Sequence, residues 1–88
     1  MIEETENTST SSVWRVLCQV EDERERQDAK WGVQDYGVYK WLTILGKKLG
    51  DANKAALEDN AQSYRDELIQ IAAVAVAMIE CHNDKMRK

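Results

Sequence analysis

Two short stretches place charged and polar side chains at spacings that could build a site: KKLGD, Lys47 to Asp51, and ELIQ, Glu67 to Gln70. On a helix, residues three or four apart share a face, so Lys47 or Lys48 lies beside Asp51, and Glu67 lies beside Gln70. Two such faces can oppose each other across an antiparallel helix pair. A third candidate is EDERERQDAK, Glu21 to Lys30, where Glu21, Glu25 and Asp28 recur at spacings of four and three. That face either lines a ligand cleft or is a solvated surface held by pairs such as Asp22 with Arg26 and Arg24 with Asp28.

Other reactive side chains carry less. Cys18 and Cys81 lack the spacing of a CxxC or zinc motif and sit beside apolar residues, so they read as reduced core thiols. His82 has no further ligands at helical spacing, which argues against a metal there. Trp41 reads as core. Trp31, directly after the charged stretch, suits either a ring stacked on a ligand or a lid on a small core.

The elements that position these residues are helical. With no proline and four glycines, the chain has few of the turn signals that a sandwich or barrel needs. Residues 1–12 are acidic and then rich in Ser and Thr, which predicts a flexible tail ahead of a single domain over 13–88. A first helix is expected from Ser11 or Ser12, with Val13, Trp14, Leu17 and Val20 as its apolar stripe. Gly32 and Gly37 bracket a turn in which Asp35 is placed to cap the next helix.

A second helix is predicted from Val38 to Leu57, with a bend at Gly46 and Gly50 and with Trp41, Leu45, Leu49, Ala52 and Ala56 buried. After a polar break at Glu58 to Ser63, a third helix starts between Asn60 and Ser63 and runs to about Asn83. Its stretch Leu68 to Ile79 is apolar all round, interrupted only by Gln70, and too short to span a bilayer. Such a helix needs cover on both sides. A chain of 88 residues supplies too few partner helices, so the reading is an all-α bundle of about three main helices completed by oligomerisation, as a dimer or larger. The basic ending HNDKMRK suits a helix C-terminus, where cations meet the negative end of the dipole.

Charge and hydropathy narrow the partners. A net charge of -4 argues against general nucleic-acid binding, which needs clustered Lys and Arg, but leaves room for a local basic spot. Without a signal peptide, lipidation motif or long apolar run, no membrane insertion is expected, and the cytoplasm, of a host cell if phage-encoded, is the expected location.

Over roughly residues 23 to 80, ERERQDAKWGVQ, YKWLTILGKKLGDANKAALE and YRDELIQIAAVAVAMIE together resemble the MazG-like nucleotide pyrophosphohydrolases of phages and bacteria. That family places EExxE on one helix and ExxD on the next, and their carboxylates bind the magnesium that holds a triphosphate during hydrolysis to monophosphate and pyrophosphate. Carried over, the EExxE acids fall on Lys47, Lys48 and Asp51, and those of ExxD on Glu67 and Gln70. Glu67 alone matches outright. Asp51 keeps the charge on a shorter arm, Lys47 and Lys48 reverse it, and Gln70 removes it, so a hard dication loses most of its oxygen ligands.

The resemblance therefore implies a nucleotide cleft without a working metal site. Lys47 and Lys48 would meet a phosphate directly, oriented by Asp51 and Glu67, with Lys30, Trp31, Gln34 and Gln70 completing the nucleotide-binding set. The expected ligand is a nucleotide, a cyclic nucleotide or another nucleotide-derived signal, sequestered by a catalytically impaired protein, for instance as a phage counter-defence. No cofactor is expected. Three alternatives stay open. The two lysines are plain solvated surface, or an active pyrophosphohydrolase holds Mg2+ through Asp51, Glu67 and Glu21 or Glu25, or the bundle is a protein-interaction module.

Overall fold

The computed structural model describes residues 2–86, with side chains from Ser11 onward. Met1, Arg87 and Lys88 lie outside the described residues, as do the side chains of most of the expected tail. The described residues form three helices and no strand: α1 (Ile2–Trp31), α2 (Val38–Leu57) and α3 (Ala61–Met86). The all-α expectation is met at this level.

Helix α1 begins at Ile2 rather than at the expected Ser11 or Ser12. No glycine or proline occurs between Ile2 and Trp31, and Ser or Thr costs a helix only some tenths of a kcal/mol per residue, so those hydroxyls mark no boundary. Its end is sharper. Gly32 takes a left-handed φ of 74° while its N–H donates to the Asp28 carbonyl at 2.7 Å, a conformation that glycine enters without a Cβ penalty.

Helix α2 spans the expected residues, but Asp35 does not cap it. The cap position is Gly37, which has no side chain to offer, and Asp35 instead meets α3, its carboxylate 3.5 Å from Lys85 Nζ. At the other end the Asn60 N–H reaches the Ala55 carbonyl (2.9 Å) and the Asp59 N–H that of Ala56 (3.1 Å). With Asp59 at φ 56°, this is a Schellman ending built without glycine. Asn60 then turns its Oδ1 to the Ser63 N–H at 3.1 Å, so one residue closes α2 and caps α3.

Helix α3 packs against both others, whereas α1 and α2 do not pack on each other. The apolar seam lies between α2 and α3: Trp41, Val74 and Ala77 are buried, with Tyr36, Ile44, Leu45, Met78 and Cys81 against them. Tyr36 meets Trp41 edge-on, centroids 5.1 Å apart. Ala52 is buried as expected, but Leu49 and Ala56, also expected inside, are exposed, and Ala55 is buried in their place. Cys18 and Cys81 are free and half-buried.

The core is thin because four of its seven buried hydrophobic residues are alanine. The radius of gyration, 15.6 Å, exceeds the roughly 12 Å of a compact domain of this length, and the extents of 48 × 40 × 20 Å describe a slab. α1 and α2 thus form the walls of a groove, with α3 as its floor. No helix among the described residues is long and apolar enough to cross a membrane.

Candidate functional site

The two stretches singled out by spacing do face each other. Lys48 on α2 donates from Nζ to Gln70 Oε1 on α3 at 2.5 Å, and beside it Lys47 pairs with Asp51 at 3.3 Å. The first contact follows from register, because α2 and α3 run antiparallel from the tight turn at Glu58 to Asn60 and so bring positions 48 and 70 level, and the second from i,i+4 spacing within α2. Lys48 is half-buried, whereas the Lys47 side chain is 76 % exposed and stands at the rim.

Asp51 and Glu67 share a separate open recess of roughly 220 Å3 with Lys54, Glu58, Asn60 and Ser63. Glu67 Oε1 is buried there without a hydrogen-bond partner, so a donor or cation reaching it would be stabilised. Among the described residues no three His, Cys, Asp or Glu side chains converge as a metal site.

The α1 wall supplies residues that the spacing argument overlooked. Glu23 accepts from Arg26 Nε at 2.9 Å and Nη2 at 2.6 Å, and from Gln27 Nε2 at 3.0 Å. The Arg26 hydrogen bond is the main cause that holds its carboxyl below the usual glutamate range; the charge of Lys48, from across the groove, adds to it. Gln27, 3 % exposed, is the buried polar residue among those described. Its signal in the sequence was its position two helical turns after Val20, on the same inward face. Arg26 therefore pairs with Glu23 and not with the expected Asp22, whereas the Arg24–Asp28 pair forms at 2.8 Å.

Glu21 and Glu25 lie elsewhere. They line a recess of roughly 490 Å3 between α1 and α3, with Trp14, Leu17, Val76 and Glu80, and neither Asp51 nor Glu67 reaches it. Arg24 crosses there to Glu80 at 2.7 Å, and its hydrogen bond to Asp28, with this one to Glu80, raises its already high pKa. α1 thus carries acids along that flank, while Arg26, half exposed, pairs among the described residues only with Glu23 on its own helix.

Lys30 and Trp31 close α1 with the Nζ 4.7 Å from the indole centroid and the ring half exposed. Gln34 donates to the Tyr36 hydroxyl at 3.2 Å and lines a recess of roughly 190 Å3 floored by Trp41 and Ala77. The indole N–H of Trp41, buried as expected of a core residue, has no hydrogen-bond partner. Trp31 stands about 12 Å along α1 from Glu23, at 1.5 Å per residue, so the two groups of candidate residues occupy different levels of the molecule. Comparison with protein-family models, curated proteins and solved structures returned no match.

Proposed function

We propose that the chain is a MazG-like helical protein that binds a nucleotide or nucleotide-derived signal through cations standing where that family keeps metal-binding acids, and sequesters it unhydrolysed. The observation that carries this reading is the meeting of Lys48 with Gln70 across α2 and α3, with Lys47 beside them at the rim. An ammonium in a half-buried polar setting attracts a phosphate more strongly than one in free solvent, because screening there is weaker. Sequestration of a signal fits a phage counter-defence role in the cytoplasm of a host. The test is calorimetric titration with nucleoside triphosphates and cyclic dinucleotides in EDTA. Lys48→Glu is expected to weaken binding about tenfold or more, as loss of a charged hydrogen bond does. Unchanged affinity in the Lys47→Glu, Lys48→Glu double variant would make these lysines plain surface.

A second reading, a magnesium-dependent pyrophosphohydrolase, draws on the recess shared by Asp51 and Glu67 and on the unpartnered Glu67 Oε1. Within one chain Glu21 and Glu25 of α1 line another recess, so this reading draws them from a second copy or does without them. Magnesium-dependent release of pyrophosphate, lost in Glu67→Ala, would favour it.

Self-association belongs to the same proposal. Tyr64, Leu68, Ile79 and Met86 are exposed along one face of α3, at spacings of four, eleven and seven, and Val13, Trp14 and Leu17 are exposed on α1. Within one chain α3 is covered by α1 and α2 alone. A second copy covering this face would enlarge a core that is otherwise mostly alanine.

A further inference from the structure

One face of α1 changes character along its length. Trp14, Leu17, Glu21, Glu25 and Asp28 follow one another at spacings of three and four, so they form a single stripe, apolar at one end and acidic at the other. The stripe is about 21 Å long at 1.5 Å per residue. With Val76 and Glu80 of α3, it walls the recess of roughly 490 Å3 between the two helices. Trp14 stands 61 % exposed at the apolar end, and Leu17 beside it is half exposed. At the acidic end four carboxylates meet one guanidinium, Arg24, which bonds to Asp28 and Glu80. Glu21 and Glu25 take no ion pair among the described residues.

We propose that this recess docks a partner protein through a basic amphipathic helix, whose apolar residues seat on Trp14, Leu17 and Val76 while its Lys or Arg side chains pair with Glu21 and Glu25. The walls decide the form of the occupant. Both are helices whose interior N–H and C=O groups are bonded within them, so a strand finds no edge to extend, and the occupant must satisfy its own backbone and bind through side chains. The acids decide its charge. A second copy related by a two-fold axis offers them no cation: laid antiparallel it sets Glu25 and Asp28 on the other stripe's Trp14 and Leu17, and laid parallel it sets acid on acid. The α3 face offered to a second copy, Tyr64, Leu68, Ile79 and Met86, lies roughly a quarter-turn from Val76 and Glu80 at 3.6 residues per turn, so both surfaces can be occupied at once. The inference stands apart from nucleotide binding.

The test measures fluorescence anisotropy of labelled synthetic helices of about 18 residues, long enough to follow the stripe. The first peptide carries leucines on one face of its first half and lysines on the same face of its second half. A second interleaves the same Leu and Lys along that face, and a third replaces Lys by Glu. The first is expected to bind the wild type, the second severalfold more weakly and the third not at all, with affinity falling as salt rises. Trp14→Ala and the Glu21→Lys, Glu25→Lys double variant are each expected to weaken the first peptide about tenfold or more, and the double variant to gain the Glu peptide. All three positions are exposed, so circular dichroism should show unchanged helicity. Equal binding of the blocked and interleaved peptides, or loss of the first peptide to spermine with no effect of Trp14→Ala, would reduce the recess to a diffuse acidic surface and overturn the inference. Failure of the first peptide to bind also overturns it, and if Trp14→Ala then lowers the particle mass in light scattering, the stripe belongs to a second copy.

Discussion

The two contacts that α3 makes are built from different materials. Against α2 it presents an apolar seam, Trp41, Val74 and Ala77 with Ile44, Leu45 and Met78. Against α1 it relies more on polar ties: Arg24 to Glu80 at 2.7 Å and Arg65 to Gln19 at 2.6 Å, around the buried Val20 and Gln27. Apolar burial stabilises regardless of salt, whereas exposed ion pairs weaken as salt rises. The hairpin α2–α3 is therefore the rigid half, and α1, which carries Glu23, Arg26 and Trp31, is the half whose position can adjust. A site at the junction of the two has one fixed wall and one adjustable wall.

The largest effect should come from the seam. Trp41→Ala removes its central side chain and is expected to cost about 3 to 5 kcal/mol, enough to unfold most of a chain with so thin a core, as a urea titration would show. A milder loss would mean that the α1 contact contributes more than its composition suggests.

Next come two alanines that the sequence could not tell apart. Ala73 is fully buried against the other helices while Ala75 is only partly covered. Ala73→Glu is expected to destabilise the single chain by several kcal/mol. Ala75→Glu should leave helicity intact but lower the particle mass in light scattering. Identical behaviour of the two variants would break the distinction between inner and outer faces of α3.

This pair shows where sequence reading stops. Helices α2 and α3 were legible because Gly32, Gly37 and the polar run from Glu58 interrupt the apolar periodicity. The inward face of α3 was not, since a stretch apolar all round has no periodicity to read. The facing of Lys48 and Gln70 was legible from helical spacing and a short connection, but Glu23 and Arg26 were not. Glu23 lies in a run where every residue from Glu21 to Arg26 is charged, and only the packing of Gln27 decides which side turns inward. Asp35 looked like a cap because its type suits one, yet it is Lys85, fifty residues on, that engages it.

The polar contact should yield a smaller effect. Arg24→Ala removes a bridge whose Glu80 side is largely exposed, so about 0.5 to 1 kcal/mol is expected, with amide exchange speeding up in α1 before α2 or α3. Uniform acceleration along all three helices would contradict the division into rigid and adjustable halves.

The smallest effect concerns pH. Because Arg26, and then Gln27 and Lys48, hold the Glu23 carboxyl below its ordinary value, its contribution is fully present above the unfolded value of about 4.3 and fades as pH falls through the lower folded value. Below about pH 4.3 the wild type should thus lose stability more steeply than Glu23→Gln, a difference readable in thermal midpoints. Parallel slopes would mean that Glu23 is not tied to these cations in solution.

The central claim, that cations at the positions of lost metal ligands bind a nucleotide and leave it whole, is tested most directly by one measurement. Purified protein is equilibrated with nucleoside triphosphates and cyclic dinucleotides, with magnesium or with EDTA, and both bound and free ligand are recovered and separated by chromatography. The account predicts a ligand retained equally in EDTA and recovered intact in both conditions. Conversion of a triphosphate to monophosphate and pyrophosphate in magnesium alone, abolished by Glu67→Ala, would contradict it, and so would retention of no ligand at all.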